Sequence, residues 1–262
     1  MGRILTERAD AIATVWLDRA DKRNAMDGAM VGDLAAALDA IAADRGVRVV
    51  VLRGKGPVFS SGIDHALLVE VLQASRTTPF SHLHHGLQDA FHRLARLPQP
   101  VIAALHGTCI GMAFELALAA DIRIAAEDCI VGLPEIAFGI VPDVGGTTRL
   151  VRAAGEPRAR ELILTGRLVR GRTAERYGLV HEVTSPGELD ARVAARAAHL
   201  ASLSPAALAA AKTLCQASAD AGGATSFRLE GLVQEALIAQ PDLAARVPAA
   251  IAFIKAQLAA AE

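Results

Sequence analysis

Aromatic residues are scarce in this chain, which has one Trp, one Tyr and seven Phe among its 262 residues. A platform for stacking nucleic-acid bases needs exposed aromatic side chains, so this composition argues against one. The formal net charge is only −1, and no overall field would draw the chain to nucleic acid or to an anionic membrane. Hydrophobic residues make up 52% of the chain, so Ala, Val, Leu and Ile have to fill the core.

Cysteines are few and long apolar runs are missing. The three cysteines, Cys109, Cys129 and Cys215, form an odd and widely spaced set, which is typical of free buried thiols in a reducing compartment. No run reaches the roughly 18 apolar residues of a membrane span, and residues 1–8 lack the apolar centre of a signal peptide. We therefore expect a soluble, cytoplasmic protein with neither a membrane nor a nucleic acid as partner.

Short apolar segments alternate with helical patterns in the first two thirds of the chain. The segment 47–52 is nearly all apolar, as in a strand that is buried on both faces. Apolar residues recur at helical spacing from Met30 to Ile41. The predicted strands are 11–17, 47–52, 101–105, 122–125 and 129–132, and the predicted helices are 27–44, 86–97 and 112–120. This succession predicts an α/β fold with mostly parallel strands. Residues 65–85 show no clean period.

The last third consists of Ala-rich helices, with expected breaks at Pro205, Gly222-Gly223, Pro241 and Pro248. We predict two regions, an α/β core that carries the active site over 1–190 and a helical region over 191–262. The apolar stripe of these helices has to pack against another surface. A flat, Ala-rich face suits a second subunit, so we predict an oligomer; the alternative is a helical cap on a monomer.

Glu115 and Glu135 stand out because each lies in an otherwise apolar segment. We expect Glu115 to be at least half buried. A buried carboxylate without a partner is costly or keeps its proton. Neither motif contains a Lys or an Arg, so both glutamates are candidates for acid/base chemistry. The alternative is that each caps a helix or pairs with a distant Arg.

Two glycine turns, Ser61-Gly62-Ile63-Asp64 and Gly111-Met112-Ala113, each follow a predicted buried strand and lie near the start of a helix. Amides in the first turn of a helix have no intrahelical partner and favour negative charge. If the two turns converge, their amides form an oxyanion hole, and glycine lets a ligand approach the backbone closely. The alternative is that the glycines only serve the geometry of strand-to-helix turns.

Together with the two glutamates, these turns resemble those of the crotonase superfamily, the enoyl-CoA hydratases and isomerases. Similar motifs run along nearly the whole chain. They are Arg19–Met26, Val49–Gly54, Phe59–Asp64, Pro100–Gly107, Gly111–Asp121, Pro134-Glu135, Gly139–Thr147 and Leu164-Thr165-Gly166. The resemblance rests on this ordered set rather than on any one motif.

The resemblance implies a crotonase-like spiral of repeated β-β-α units with a C-terminal helical trimerisation region, and trimers that often pair into hexamers. It also implies an acyl-CoA thioester as substrate; because coenzyme A is part of that substrate, no separate cofactor is expected. The amides of Ile63 and Met112 would hold the thioester oxygen as the enolate forms. Glu135 would exchange the proton at Cα, and Glu115 would activate the water that adds at Cβ.

The chain departs from the hydratase pattern at two positions. Met112 stands where hydratases usually have glycine, so its side chain is expected to reshape the acyl pocket. Asp143 stands where simple hydratases have a small residue and dienoyl-CoA isomerases have an acid, and Ser61–Asp64 also resembles those isomerases. They have Asp at the position of Glu115, however. We therefore predict hydration of a trans-2-enoyl-CoA, with isomerisation through Asp143 as the alternative. Asp143 equally suits a turn before two glycines.

The same resemblance marks candidates for binding the substrate. Arg19, Lys22 and Arg23 lie where the family holds the adenine and phosphates of CoA, and Lys255 would come from a neighbouring subunit, with Phe253 beside the adenine. The full set is Arg19, Lys22, Arg23, Ser61, Gly62, Asp64, Gly111, Phe253 and Lys255. The alternatives are a solvated surface for the charges and the core for Phe253.

Other functions are less favoured. His82, His84 and His85 cluster in an irregular segment with no carboxylate or Cys at ligand spacing, so we expect no metal. Some relatives of this superfamily are non-catalytic acyl-CoA-binding or RNA-binding proteins. Both glutamates are present here, and the chain is nearly neutral and poor in aromatic residues, which disfavours that alternative.

Overall fold

The computed structural model describes residues 2–261, without the side chains of residues 80–84 and 260–261. The chain divides into two compact units between Pro205 and Ala206. The strands are β1 (Ile4–Ala9), β2 (Ile12–Leu17), β3 (Val49–Gly54), β4 (Val101–Leu105), β5 (Thr108–Ile110), β6 (Ile122–Ala126), β7 (Ile130–Gly132), β8 (Val169–Arg170) and β9 (Glu182–Thr184).

These strands form two sheets in the first unit. The larger sheet has the order β1-β2-β3-β4-β6-β9, in which all neighbours are parallel except β1 and β2. The smaller sheet has the order β5-β7-β8, with β5 parallel and β8 antiparallel to β7. The predicted α/β fold with mostly parallel strands is confirmed, and the apolar residues of β3 are buried as expected.

The helices are α1 (Gly28–Ala43), α2 (His65–Ala74), α3 (Phe80–Arg96), α4 (Met112–Leu118), α5 (Gly146–Ala154), α6 (Glu156–Thr165), α7 (Gly171–Arg176), α8 (Leu189–Ser202), α9 (Pro205–Asp220), α10 (Gly223–Ile238) and α11 (Leu243–Ala261). Helix α1 confirms the periodicity of its sequence, because its apolar positions are buried. The carboxylate of Asp27 caps it by accepting a hydrogen bond from the Met30 amide.

Several elements were not predicted from the sequence. Strand β1 lies at the edge of its sheet and is mostly exposed, and α2 has no buried residue, so neither shows an apolar period. Helix α3 begins earlier than the predicted residue 86. The expected break at Pro248 is wrong, since Pro248 lies within α11. It is the sixth residue there, where a missing N–H removes one intrahelical hydrogen bond.

The C-terminal helical region is confirmed, but the compact units divide at residue 205 rather than at the predicted 190. The reason is that α8 packs against β3, β4 and β6 of the first unit. In the second unit α10 and α11 carry exposed apolar side chains, which are Phe227, Leu232, Ile238, Leu243, Val247, Ile251, Phe253, Ile254 and Leu258. Their predicted role in oligomerisation stays a prediction.

The cysteines are free in the part of the chain that is described, and Cys109 and Cys129 are buried. The expectation of a buried thiol is wrong for Cys215, which is exposed on α9. Between residues 2 and 261, no single helix is long and apolar enough to cross a membrane. The pair Gly223–Ile238 and Leu243–Ala259, bent by 109°, passes that test jointly on length and composition alone.

Candidate active site

Glu115 lies in α4, the short helix that follows β5 and Gly111. Every residue of α4 is buried, and Glu115 is only 2% exposed, as the apolar flanks predicted. Its Oε2 atom accepts hydrogen bonds from the amides of Val144 (3.0 Å) and Gly146 (2.7 Å). Oε1 has no hydrogen-bond partner among the described residues, so one oxygen is fixed and the other is available to a ligand.

Gly146 is required where the carboxylate meets the start of α5. A Cβ at this position would lie 2.5 Å from Cγ and from Oε2 of Glu115, which is closer than packed atoms approach. Because Gly146 is the first residue of α5, its amide has no intrahelical acceptor. The Glu115 carboxylate thus caps the N-terminus of α5, although it lies on a different helix. The alternative that Glu115 caps a helix is therefore correct for its Oε2 atom.

Glu135 is the first residue of a 3-10 helix, Glu135–Phe138, directly after Pro134. Its Oε2 atom is buried and has no hydrogen-bond partner in the described part of the chain. Its Oε1 atom lies toward the turn before α4, since a Cβ on Gly111 would lie 3.1 Å from it. Gly111 has φ +57°, so glycine serves there both the backbone conformation and the close approach of the carboxylate.

Both glutamates have raised pKa values. Burial, followed by the charge of Glu135, raises the pKa of Glu115 to about 8, against the smaller opposing effect of the two amides. Burial, with a smaller effect from the charge of Asp143, raises the pKa of Glu135 to about 7. Desolvation favours the neutral form of a carboxyl. Neither carboxyl has an ion pair with Lys or Arg in the described residues, and the alternative of a distant Arg partner is limited to the charge of Arg149, which acts on Glu115 without forming an ion pair.

The two glycine turns lie side by side. Gly62 has φ +93°, and a Cβ on it would lie 2.7 Å from the Ile110 carbonyl and 3.5 Å from the Met112 amide nitrogen. Ile63 pairs with Met26 in a parallel bridge, in which Met26 bonds to the carbonyl of residue 62 and the amide of residue 64. The Ile63 amide therefore points away from Met26. Neither it nor the Met112 amide donates to an acceptor within residues 2–261.

Asn24 and Ser60 hold these turns, and neither was singled out from the sequence. The Asn24 side chain, fully buried, donates to the carbonyls of residues 55, 58 and 59 and accepts from the Arg19 amide. Ser60 Oγ donates to the Asn24 carbonyl and accepts from the Gly62 amide. Asn24 has φ +53°, which Asn tolerates better than most residues. A lone Asn within the charged turn 18–24 was the available signal.

The predicted CoA-binding residues lie in different surroundings. The Arg19 guanidinium pairs with Asp64 and Asp27 and donates to the Ala25 carbonyl, so its charge is already engaged. Its hydrogen bond to Asp64 holds the pKa of that carboxyl below its usual range. Lys22 and Arg23 are exposed beside this pair, and Ser61 is half-buried.

Two further candidates belong to the second unit. Phe253 and Lys255 lie on α11, and Phe253 is 43% exposed, so it is not a core residue. Their proposed contact with CoA stays a prediction. The side chains of His82 and His84 lie outside the described residues, and His85 is exposed.

Asp143 lies in the turn before α5, near both glutamates. Its charge contributes to the raised pKa of Glu115 and of Glu135. Its own carbonyl accepts a hydrogen bond of 2.7 Å from Gln88 Nε2. Asp143 therefore fits both expectations: it forms part of the turn, and its carboxyl is a third acidic group near the two glutamates. Met112, whose side chain was expected to reshape the acyl pocket, is 5% exposed and belongs to the apolar core.

Known proteins resemble this chain over most of its length. The sequence profile of the enoyl-CoA hydratase/isomerase family matches residues 7–254. The 2,3-dehydroadipyl-CoA hydratase of Escherichia coli is 34% identical over 213 residues, 81% of each chain. A crystal structure of enoyl-CoA hydratase from Bacillus anthracis is 31% identical, with a TM-score of 0.85 over 97% of this chain and 96% of that one.

A Thermobifida fusca protein assigned to the enoyl-CoA hydratases, solved in complex with CoA, is 35% identical. Its TM-score is 0.82 over 91% of this chain and 93% of its own. The crotonase-like fold expected from the sequence motifs is confirmed by these structures. A family profile that spans nearly the whole chain, together with relatives above 30% identity, leaves one assignment: this chain belongs to the enoyl-CoA hydratase/isomerase family.

Proposed function

We propose that this protein is an enoyl-CoA hydratase that adds water across the 2,3 double bond of a trans-2-enoyl-CoA. The observation that carries the proposal is the buried Glu115 and the half-buried Glu135 beside two amides that have no acceptor among the described residues. One glutamate, Glu115, has an oxygen fixed by two amides. The other, Glu135, has a buried oxygen that no donor within the described residues reaches. The CoA bound to the Thermobifida fusca relative supports a CoA thioester as the substrate class.

The amides of Ile63 and Met112 are proposed to bind the thioester oxygen. As water adds at Cβ, the electron pair of the double bond moves toward Cα and the thioester carbonyl, and negative charge grows on that oxygen. Donors fixed in advance stabilise such charge without having to reorganise. Because the donors are backbone groups, they supply this stabilisation whatever side chains residues 63 and 112 carry.

The two glutamates are proposed to divide the proton transfers. Hydration needs one carboxylate to take a proton from water and one carboxylic acid to protonate Cα. The amides on Oε2 of Glu115 favour its ionised form, and its free Oε1 can hold the water. Oε2 of Glu135 has no donor among the described residues, so this oxygen is suited to carry the proton to Cα. The pKa order, about 8 for Glu115 and about 7 for Glu135, runs against this division, so the assignment rests on the hydrogen bonds; both values lie near neutral pH, where each carboxyl has both forms accessible.

The test is hydration of crotonyl-CoA combined with solvent-deuterium exchange at Cα. Glu135→Gln should abolish both hydration and exchange, because it removes the group that delivers the proton. Glu127→Gln makes the same change at a surface ion pair with Arg172 and should retain both. Undiminished exchange in Glu135→Gln would contradict the role of that residue, and a native protein without hydratase activity would contradict the function.

The second candidate function is isomerisation of a dienoyl-CoA, favoured by the third acid. Moving two conjugated double bonds requires proton transfer at two distant carbons, and Asp143 is close enough for its charge to act on both glutamates. Asp143→Asn should leave hydration of crotonyl-CoA nearly unchanged and abolish isomerisation of a conjugated dienoyl-CoA. Equal losses of both activities would remove the support for this role.

We also propose that the chain assembles into trimers or hexamers. The exposed apolar side chains of α10 and α11 support this proposal, since a large apolar surface on a helical region is typical of subunit contacts. Light scattering coupled to size-exclusion chromatography measures the mass directly. A monomer at micromolar concentration would contradict the proposal.

A further inference from the structure

The turn Pro142–Val144 is held at three consecutive carbonyls by side chains. Thr147 Oγ1 donates to the carbonyl of residue 142 (2.9 Å), Gln88 Nε2 to that of residue 143 (2.7 Å) and Arg149 Nη1 to that of residue 144 (3.1 Å). Thr147 and Arg149 come from α5, directly after the turn. Gln88 comes from α3, far away in the sequence, so its contact is a property of the tertiary fold.

The bond from Gln88 acts on the same peptide group that contacts Glu115. The carbonyl of Asp143 and the amide of Val144 belong to one planar, trans peptide unit, so they point in opposite directions. Gln88 binds the carbonyl end, and Glu115 accepts from the amide end. A fixed carbonyl therefore fixes the direction of the N–H, and hydrogen bonds in such a chain polarise and strengthen one another.

The second amide on Glu115 is oriented by another means. The Gly146 amide shares its peptide group with the Gly145 carbonyl, which accepts the first helical hydrogen bond of α5 from the Arg149 amide (3.0 Å). That bond is part of the backbone of α5. For the Val144 amide, whose peptide group includes the Asp143 carbonyl, the side chain of Gln88 supplies the corresponding contact.

We propose that Gln88 is a positioning residue for Glu115, acting through the peptide between residues 143 and 144. The part of the inference that concerns catalysis rests on the proposed hydratase function, in which Glu115 activates water. The charged groups that act on Glu115 are Glu135, Asp143 and Arg149, and none of them is changed by a substitution of Gln88.

Loss of Gln88 should destabilise the ionised form of Glu115. With a loosened Val144 amide, the carboxylate loses part of a charge-assisted hydrogen bond, so the pKa of Glu115 should rise further. If Glu115 acts as the base, Gln88→Leu should lower kcat about tenfold at pH 7, with the acid limb of the pH profile displaced by about one unit. The deficit should close as the pH rises.

The chain offers a matched control. Gln99 also donates through Nε2 to a backbone carbonyl, that of Ile41 (3.0 Å), away from the glutamates. Gln99→Leu therefore removes the same kind of bond and should leave the pH profile unmoved. Gln88→Met keeps the length of the side chain without the donor, and it replaces Gln88→Leu if that variant does not fold.

Titration of the Glu115 carboxyl by 13C NMR, assigned with Glu115→Gln, tests the positioning role independently of any reaction. An upward shift in Gln88→Leu or Gln88→Met, absent in Gln99→Leu, is the expected result. An unchanged titration in both Gln88 variants would overturn the proposal. If the titration shifts while the native protein hydrates no enoyl-CoA, the positioning role stands and the proposed function fails.

Discussion

Glu115→Gln should change how the stability of the protein depends on pH. Glu115 is 2% exposed, and burial followed by the charge of Glu135 raises its pKa from 4.5 to about 8. In the unfolded chain the carboxyl ionises from its ordinary pKa. Between these two values the folded protein binds more protons than the unfolded one, so its stability falls as the pH rises through this window. Because Gln does not titrate, Glu115→Gln removes this contribution to the pH dependence of stability.

The magnitude follows from the shift. One pKa unit corresponds to about 1.4 kcal/mol, so a rise from 4.5 to about 8 corresponds to a cost of about 5 kcal/mol well above pH 8. Between pH 5 and pH 8 the stability of Glu115→Gln relative to the native chain should therefore increase by about 3.5 kcal/mol. The comparison uses this change with pH, because any constant difference between a neutral carboxyl and an amide cancels.

Urea unfolding at pH 5, 6, 7 and 8, at one protein concentration, measures this difference. Circular dichroism and the fluorescence of the lone Trp16 give two probes of the transition, and their agreement tests whether it is two-state. Glu127→Gln is the control on the surface and should run parallel to the native chain. If Glu115→Gln also runs parallel, burial does not hold the proton on Glu115, and the reasoning about this site is wrong.

Two further substitutions test the backbone around the proposed oxyanion hole. Gly62→Ala forces a Cβ to within 2.7 Å of the Ile110 carbonyl at a positive φ. This substitution should cost about 1–3 kcal/mol of stability. It should also lower kcat by about 100-fold, because it displaces the Ile63 amide. The control Gly28→Ala, with open space around residue 28, should change neither stability nor kcat. Asn24→Ala leaves three carbonyls without their donor and should lower the free energy of unfolding in urea by at least about 2 kcal/mol. A decrease below about 0.5 kcal/mol would mean that water replaces the side-chain amide as the donor.

The elements that could be predicted from the sequence are those with a strong local pattern. Helix α1 has a capping Asp27 and an apolar stripe, and β3 and β4 are continuous apolar runs, so local pattern sufficed. Strand β1 and helix α2 expose most of their side chains, so their residues carry no period to detect. Such elements form because the neighbouring strand or helix supplies partners, and that information does not lie in the segment itself.

The active-site residues divide in the same way. Glu115 and Glu135 could be recognised because a carboxylate in an apolar segment is costly unless it serves a purpose. Asn24, Gln88 and Arg149 could not, because a polar residue on a turn or a helix surface looks the same whether it contacts water or a carbonyl. Their importance depends on which backbone groups the fold brings to them.

The sequence by itself determined that the Glu115 carboxyl would be at least half buried and that Glu135 would lie in an apolar segment, since apolar flanks are a local property. Only the tertiary structure decided what those groups face. Glu115 meets amides 29 and 31 residues away, and Gln88 meets a carbonyl 55 residues away. The directions of those peptide groups arise from the packing of α3, α4 and α5 around one turn, which no short-range pattern encodes.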